Sequence, residues 1–324
     1  MPIAKRLIEE DVDVATLVFC GDIMVRHGDV IPQLHSDIVK FVDGCDLFIG
    51  NCEAPVHTGA LNTDSKYRFS FHMPSAYLTG IIDQLPIDRS NILLNTANNH
   101  SGDAGYSAYV RGLEILRELG LSTIGTIQSS ECDRAIYDIR GLKLGFLSWT
   151  QWMNCKIFGG QDIRPIEQAE VLSSFGGLKE KEDIDYLVAT PHWEYEFQHF
   201  PHHDTRQTAI VLAAELGIDL IAGSHPHTLQ PLEVINSCHC FYSLGNFIGL
   251  GISWPVKLIP LLKVKIGVSG SSKGKMVSYE VRPYVQSHDG DGISLIPIES
   301  AIPKMRKKMQ SRLDKVFTPL EHTV

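Results

Sequence analysis

A chain of 324 residues with 44% hydrophobic and 21% charged residues is ordinary for a globular protein with one large or two modest α/β domains. The formal net charge of −9 argues against a nucleic-acid-binding surface, although a local basic patch could survive an acidic average. The same balance fits poorly with a free anionic polymer as substrate unless bound metal ions reverse the sign of the charge locally.

The N-terminal residues lack both the apolar core and the cleavage site of a signal peptide. No apolar run in the chain reaches the ~18 residues that span a bilayer, so we expect a cytoplasmic protein without a membrane anchor. Seven cysteines without a Cys-x-x-Cys pair indicate reduced, buried thiols rather than a disulfide framework or a zinc knuckle. Cys238, His239 and Cys240 could bind a metal, but they lie in a predicted strand, where alternate side chains more often pack.

Apolar runs rich in β-forming residues alternate with helical patterns, which is typical of a layered α/β domain. The predicted elements are, in chain order, strands at 14–20, 46–50 and 91–96, a helix at 106–119 ending at Gly120, a hairpin of 135–140 and 143–149, a strand at 185–190, a helix at 204–216 with Asp204 as its N-cap, a strand at 219–222, paired strands at 232–235 and 240–244, and a closing antiparallel hairpin of 261–266 and 275–281.

We predict a single domain at 1–299 and a basic helical tail at 300–324. The tail is better interpreted as a solvated terminal helix than as an element that docks or contacts an anion.

Polar residues with metal-binding side chains follow five of the predicted strands. They are Asp22, Glu53, Asn99 with His100, His192, and His225 with His227. Because ligands collect at the carboxyl ends of strands in open α/β sheets, we expect these side chains to converge on one pocket. Carboxylate, amide oxygen and imidazole donors suit one or two Mn, Zn or Fe ions, and a carboxylate such as Glu53 can bridge two cations.

Six motifs carry a resemblance to a known family. They are GDIM at Gly21, NCEAP at Asn51, ANNH at Ala97, HWEYEF at His192, GSHPHTLQ at Gly223 and YSLGNF at Tyr242. In this order they closely resemble the motifs of the CapA family, proteins linked to poly-γ-glutamate capsule synthesis. The resemblance implies the fold of the calcineurin-like metallophosphoesterases, a layered α/β/β/α sandwich with a dinuclear metal site at the strand ends.

The resemblance also implies a role for each site residue. Asp22 and His227 would bind the first metal, Asn99, His192 and His225 the second, and Glu53 would bridge them. His100 would be an acid/base or a donor to the transition state, and Glu196 a catalytic or supporting carboxylate. Asn246 would orient a loop over the site and take part in substrate binding.

Two positions depart from the family pattern. Met24 occupies the place of a metal-binding histidine in ordinary metallophosphoesterases, so the first metal has one protein ligand fewer. Glu194 replaces the glycine that follows the His-Trp pair, which predicts an extra carboxylate near the centre.

Further residues have weaker signals. Arg26 and His27 follow Asp22 and could contact an anionic substrate, and Tyr67, Arg68 and Phe69 could form a substrate lid. A metal or phosphate role is possible for the histidines at 199, 202 and 203, but a surface loop leading into a helix explains them better.

Three functions are compatible with these features. The first is a metal-dependent hydrolase or transferase that acts on a phosphoester or on a carboxylate or amide of γ-glutamyl type. The second is an accessory protein that binds a polyglutamate-like polymer in capsule synthesis or export. The third is a biosynthetic enzyme that tailors small molecules. The expected partner is a small or polymeric anionic substrate and not a nucleic acid, and the fold alone does not choose among the functions.

Overall fold

A computed structural model of the chain describes residues 3–9, 12–25, 30–59, 70–128, 131–132, 134–155, 167–290 and 292–317. The strands in these ranges are β1 Ile3–Arg6, β2 Val14–Ile23, β3 Gln33–Leu34, β4 Leu47–Cys52, β5 Val56–His57, β6 Met73–Pro74, β7 Ile92–Asn95, β8 Ser122–Ile124, β9 Ile127–Gln128, β10 Glu131–Cys132, β11 Arg134–Ile139, β12 Leu142–Leu147, β13 Tyr186–Ala189, β14 Leu220–Ala222, β15 Leu232–Ile235, β16 Cys238–Phe241, β17 Asn246–Ile248, β18 Leu258–Gly267, β19 Met276–Asp289 and β20 Gly292–Pro297. The α-helices are α1 Ser36–Val42, α2 Ser75–Ile82, α3 Tyr106–Glu118, α4 Gln168–Phe175, α5 Leu178–Lys181, α6 His203–Leu216 and α7 Pro303–Phe317.

Two mixed sheets form the centre of the molecule. The larger has the order β3-β20-β19-β18-β2-β4-β7-β8, with β1 paired to β19 and β17 paired to β2. The smaller has the order β11-β12-β13-β14-β16-β15. Strands β2, β4, β7 and β8 are parallel, as are β12, β13, β14 and β16. Each sheet therefore brings several carboxyl ends to one edge.

Alternation along the strands shows how the layers pack. In β2, Leu17 and Phe19 lie in the core between the two sheets, whereas Val18 faces the core formed with α1, α2 and α3. In β13, Val188 faces the core between the sheets and Leu187 faces α4 to α6. Since successive side chains of a strand point to opposite faces, both sheets are covered on both sides. This arrangement confirms the predicted α/β/β/α sandwich.

Most predicted elements are present, with shifts at their ends. The hairpin of β11 and β12 turns at Arg140 and Gly141, whose φ angles of 53° and 80° suit the tight two-residue turn between antiparallel strands. The predicted N-cap Asp204 is wrong: α6 begins one residue earlier, and the His202 side chain accepts the cap hydrogen bond from the Asp204 N–H. Among the described residues, no helix is both long enough and apolar enough to cross a membrane.

The C-terminal helix α7 packs against the body of the protein. Met309, Leu313 and Val316 are buried in a small core with Leu229 and Leu258. The interpretation of the tail as a solvated helix is therefore wrong for this face, because its apolar residues recur at the three- and four-residue spacing that forms one stripe on a helix. Its four lysines and Arg306 are exposed, whereas Arg312 is buried.

Candidate metal centre

The six predicted ligands lie at one edge of the sandwich. Asp22 lies in the last residues of β2, Glu53 directly follows β4, and Asn99 follows β7 in the larger sheet. His192 follows β13, and His225 and His227 follow β14 in the smaller sheet. Asp22, Glu53 and His192 have no measurable exposure, and the other three are at most 6% exposed. The structure thus brings all six side chains together in a buried cluster.

Glu53 lies at the middle of this cluster. Its Oε1 atom is 3.7 Å from His192 Nε2 and 3.8 Å from His227 Nε2. These separations are too long for hydrogen bonds. Ligand atoms about 2.0–2.2 Å from one ion are themselves separated by about 3–4 Å. Two groups of donor atoms come close to this condition, with all atoms of a group within 4.8 Å of one another: Glu53 with His192 and His225, and Asp22 with Glu53 and His227. Glu53 belongs to both groups.

Hydrogen bonds set the orientation of His227. Its Nδ1 atom lies 3.0 Å from Asp22 Oδ2 and 2.9 Å from Asn246 Oδ1. The Asn246 amide nitrogen donates to the Val256 carbonyl at 3.1 Å, so its oxygen is the atom that faces His227. Because both neighbours of Nδ1 are acceptors, Nδ1 carries the proton and Nε2 presents its lone pair to the cluster.

His192 and Asn99 face each other on the other side of Glu53. Asn99 Oδ1 is 2.9 Å from His192 Nε2, while the Asn99 amide nitrogen donates to Asn154 Oδ1 at 3.4 Å. His192 Nδ1 lies 3.0 Å from Ser224 Oγ. The His225 ring lies 4.6 Å from the His192 ring, measured between centroids. Asn99 therefore extends the group of Glu53, His192 and His225 by one amide oxygen.

Two asparagines that the sequence analysis left unassigned hold the carboxylates. Asn51 Nδ2 donates to Asp22 Oδ1 at 2.7 Å and lies 3.5 Å from Glu53 Oε2. Asn98 Nδ2 in turn donates to Asn51 Oδ1 at 3.1 Å. Such donors fix the orientation of ligating side chains in metalloproteins. Asn51 belongs to the NCEAP motif and Asn98 to the ANNH motif. Their place in these motifs is the sequence feature that could have indicated a role at the site.

The electrostatics of the cluster favour a bound cation. Burial, with the adjacent Asp22 charge, raises the pKa of Glu53 well above its usual range. Burial also lowers the pKa of His225 to about 3 and that of His192 well below its usual value, so both imidazoles are neutral at pH 7. Within the described residues, Glu53 Oε1 and His225 Nδ1 have no hydrogen-bond partner. Buried oxygen and nitrogen acceptors without donors fit a divalent cation, because a cation supplies the missing partner.

The backbone around the cluster is tightly constrained. A Cβ atom at Gly21 would lie 1.8 Å from the Gly245 carbonyl oxygen, so glycine is required where β2 passes this loop. His225 and His227 have φ angles of 100° and 57°, and such left-handed conformations cost energy for residues other than glycine. Strained backbone of this kind concentrates at functional sites.

His100 lies beside the cluster in a different environment. Its Nδ1 atom is 2.6 Å from Asp103 Oδ2, and the same oxygen accepts a hydrogen bond from the Phe71 N–H at 2.8 Å. Both side chains are 4% exposed. Asp103 can accept but not donate when ionised, so it fixes the proton on Nδ1 and leaves Nε2 available. Asp103 lies three residues after His100, a spacing that is visible in the sequence but does not by itself predict the pairing.

A cleft of about 280 Å³ opens from the cluster to solvent. Its lining residues are Met24, Phe71, His100, Glu196, Phe197, His227, Asn246, Leu250, Ile252 and Val256. Glu196 is exposed at the cleft wall and takes no part in either group of donor atoms. Met24 is buried and lines the cleft at the place where ordinary metallophosphoesterases have a histidine ligand, so the cleft gains an apolar surface there.

Glu194 belongs to neither group of donor atoms. Its Oε2 atom accepts a hydrogen bond from the His202 N–H at 2.9 Å, at the start of α6. The expectation that it adds a carboxylate near the metals is therefore wrong. Its φ angle of 74° explains the glycine of the family pattern, since glycine adopts this conformation without steric cost.

Several other candidates lie outside this site. Arg26, His27, Tyr67, Arg68 and Phe69 are outside the described residues, so their assignments stay predictions. His202 and His203 are largely exposed and belong to neither group of donor atoms. Burial raises the pKa of Cys238 to about 12, which agrees with a packed thiol rather than a metal ligand.

Comparison with known proteins places these features in a family. The model of the bacterial capsule synthesis protein PGA_cap matches residues 16–249. The PGA biosynthesis protein CapA of Bacillus subtilis (strain 168) is 29% identical over 252 residues, covering 73% of this chain and 63% of that protein. The chain thus spans about three fifths of the length of this relative.

Solved structures show the same fold. A novel phosphatase from Mycoplasma pneumoniae aligns with a TM-score of 0.52 at 13% identity, covering 92% of this chain and 98% of that one. The calcineurin-like phosphoesterase YfkN from Bacillus subtilis aligns with a TM-score of 0.50 at 13% identity, covering 94% and 99%. The chain belongs to the bacterial capsule synthesis protein PGA_cap family and has the fold of the calcineurin-like phosphoesterases.

Proposed function

We propose that this protein is a metal-dependent hydrolase or transferase that acts on an anionic substrate, either a phosphoester or a carboxylate or amide of γ-glutamyl type. The observation that carries the proposal is the buried His100–Asp103 pair at the wall of the cleft, next to two groups of metal-competent donors that share Glu53. A protein that only binds metal or polymer has no need of an oriented histidine with a free ring nitrogen.

In this proposal Asp22, Glu53 and His227 hold one ion, and Glu53, Asn99, His192 and His225 hold a second. When bound, divalent ions would polarise the reacting group and lower the pKa of a water molecule. Mn, Zn and Fe all suit this mixture of oxygen and imidazole donors. Because Met24 removes one ligand from the first group, we expect that group to bind its ion more weakly.

His100 is proposed to transfer a proton through Nε2. Asp103 keeps a proton on Nδ1, so Nε2 is the atom that accepts a proton when His100 acts as a base. When His100 starts protonated, Nε2 instead donates its proton as an acid. In both cases the Asp103 carboxylate stabilises the imidazolium form. Glu196, on the same cleft wall, is proposed to act on the substrate or to adjust the charge of the cleft. Asn246 contributes by fixing the orientation of His227.

The shape of the cleft narrows the class of substrate. Leu250, Ile252 and Val256 form an apolar wall, while His227 of the metal cluster also lines the cleft. We infer that the anionic reacting group enters first and that an aliphatic part of the substrate packs against this wall. The name of the Bacillus subtilis relative, a PGA biosynthesis protein, supports a γ-glutamyl substrate, which has both parts.

Family membership also favours a second candidate, an accessory protein that binds the polymer during capsule synthesis. The test is turnover by protein stripped of metal and reconstituted with Mn²⁺, Zn²⁺ or Fe²⁺ on phosphomonoester, phosphodiester and γ-glutamyl substrates. We expect metal-dependent turnover that His100→Asn lowers by about 10²–10⁴-fold, while the exposed His203→Asn control keeps it. Metal-dependent binding without turnover on any substrate would support the accessory role instead.

A further inference from the structure

A second concave surface adjoins the candidate active site. It is a groove of about 640 Å³ between α7 and the segments that precede α6 and β18. Its lining residues are His199, Phe200, Trp254, Lys304, Lys307, Lys308, Ser311, Arg312 and Lys315. Five of these nine residues are cationic and none is acidic, in a chain whose formal net charge is −9.

The cations form one ordered row. Lys304, Lys308, Arg312 and Lys315 recur at spacings of three and four residues, so they lie on one face of α7. The three lysines of this row and the neighbouring Lys307 are exposed. Helix α7 carries a single acidic residue, Asp314. The positive charge of the row is therefore not cancelled along the helix, and it creates a local field opposite in sign to that of the whole chain.

The groove and the metal cleft are lined by neighbouring residues of the same two chain segments. One segment supplies Glu196 and Phe197 to the cleft and then Phe200 to the groove. A second supplies Ile252 to the cleft and Trp254 to the groove. Since Phe197 and Phe200 are three residues apart, their Cα atoms are separated by at most about 11 Å. A chain that leaves the cleft can thus reach the groove within a few of its own units.

Arg312 joins the two surfaces. Its guanidinium is buried and donates to the carbonyls of His199 and Leu229, the latter two residues after His227. Burial lowers the pKa of Arg312 to about 10, which is far enough above neutral that the charge remains at pH 7. Its Nη2 atom donates to the main chain and the residue is only 7% exposed, so the exposed lysines are the side chains that meet a ligand in the groove.

The chemistry of the groove distinguishes among anionic chains. Lys308 Nζ lies 5.9 Å from the centre of the Trp254 ring, and Arg312 Cζ lies 5.1 Å from that of Phe200. These cations cover ring faces on which nucleic-acid bases would otherwise stack. A concave groove also fits an extended chain better than the plane of a membrane.

We propose that this groove binds the continuing part of an aliphatic polycarboxylate chain whose reacting end occupies the metal cleft. The binding of the chain does not require metal, whereas the link between groove and cleft rests on the function proposed above. The groove would give the enzyme a preference for long anionic substrates over short ones.

Calorimetric titration of the metal-free, full-length protein with an oligomer of about ten glutamates tests this proposal. We expect binding at low salt that weakens as salt rises, and a loss of affinity of about tenfold or more in the triple variant K304Q/K307Q/K308Q. The matched control K40Q/K181Q/K275Q removes the same charge from exposed lysines elsewhere and should bind as the wild type does.

Equal affinity of the two triple variants would overturn the proposal, as would absence of binding to the wild type. Tighter binding of inorganic polyphosphate, or of vesicles with anionic lipids, with the glutamate oligomer inactive, would assign the groove to those ligands and would also overturn it. Because the titration needs neither metal nor turnover, failure of the proposed enzymatic function leaves its result unaffected.

Discussion

Replacing His100 by asparagine removes the ring nitrogen available for proton transfer while keeping an amide near the position of Nδ1. If His100 is the acid or base, kcat should fall by about 10²–10⁴-fold, which corresponds to about 2.7–5.4 kcal/mol in the activation barrier. The metal content should not change, because His100 belongs to neither group of donor atoms. The assay is kcat on the substrate identified by the panel, together with metal analysis of the same protein.

The partner variant Asp103→Asn separates orientation from proton transfer. An asparagine oxygen can still accept from the Phe71 N–H, but it has no charge to stabilise an imidazolium. We expect kcat to fall by about 10–100-fold, and the double variant to be no slower than His100→Asn alone, because the two residues act as a unit. An unchanged kcat in Asp103→Asn, or loss of metal in His100→Asn, would refute this reasoning.

Three further predictions concern the site and its supports. His225→Ala should lose the ion held with Glu53 and keep its near-UV circular dichroism, because His225 lies on a loop; full retention of metal would contradict the assignment. Gly21→Ala should lower the free energy of unfolding, measured by urea titration, by about 3 kcal/mol or more, because the new methyl group meets the Gly245 carbonyl. In the control Gly44→Ala, the new methyl group meets nothing within 4 Å. This control should lose only about 1 kcal/mol, because its φ angle is positive. Glu194→Gly should raise the free energy of unfolding by about 1 kcal/mol, because glycine adopts the left-handed backbone without strain and a buried carboxylate is removed. A lower melting temperature than that of the wild type would contradict this prediction.

The position of the site could be predicted from the sequence because the physical rule is simple. Parallel strands bring their carboxyl ends to one edge, and the polar residues of the motifs follow directly after apolar runs. The strand at residues 14–20 and the helix at 106–119 were recognisable from period and end signals, and the structure confirms both with small shifts.

The supporting residues could not be predicted in the same way. An aspartate in the turn after a strand has an ordinary role as a turn former, so nothing distinguishes Asp103 until its distance from His100 is known. Asn51 and Asn98 are likewise common residue types whose roles depend on contacts between distant segments. Glu194 was misplaced because its left-handed backbone, which directs the side chain toward α6, leaves no mark in the sequence.

The docking of α7 shows a different limit. The apolar stripe of Met309, Leu313 and Val316 is readable as one helix face, but its partner is not. Leu229 and Leu258 lie far away in the chain, and alternation in a strand does not specify which helix covers it. The basic groove exists only because this helix is docked beside residues 199–200, so it could not be predicted without the structure.

In the proposed function, Glu53 would contribute a ligand to each of two ions at the shared edge of the two sheets. The most direct test is a crystal of the full chain soaked in Mn²⁺, with anomalous scattering used to locate the metal. We predict one peak within ligand distance of Glu53, Asn99, His192 and His225, and a second, weaker peak beside Asp22, Glu53 and His227. Anomalous peaks away from Glu53, or none at this edge in fully soaked crystals, would contradict the account.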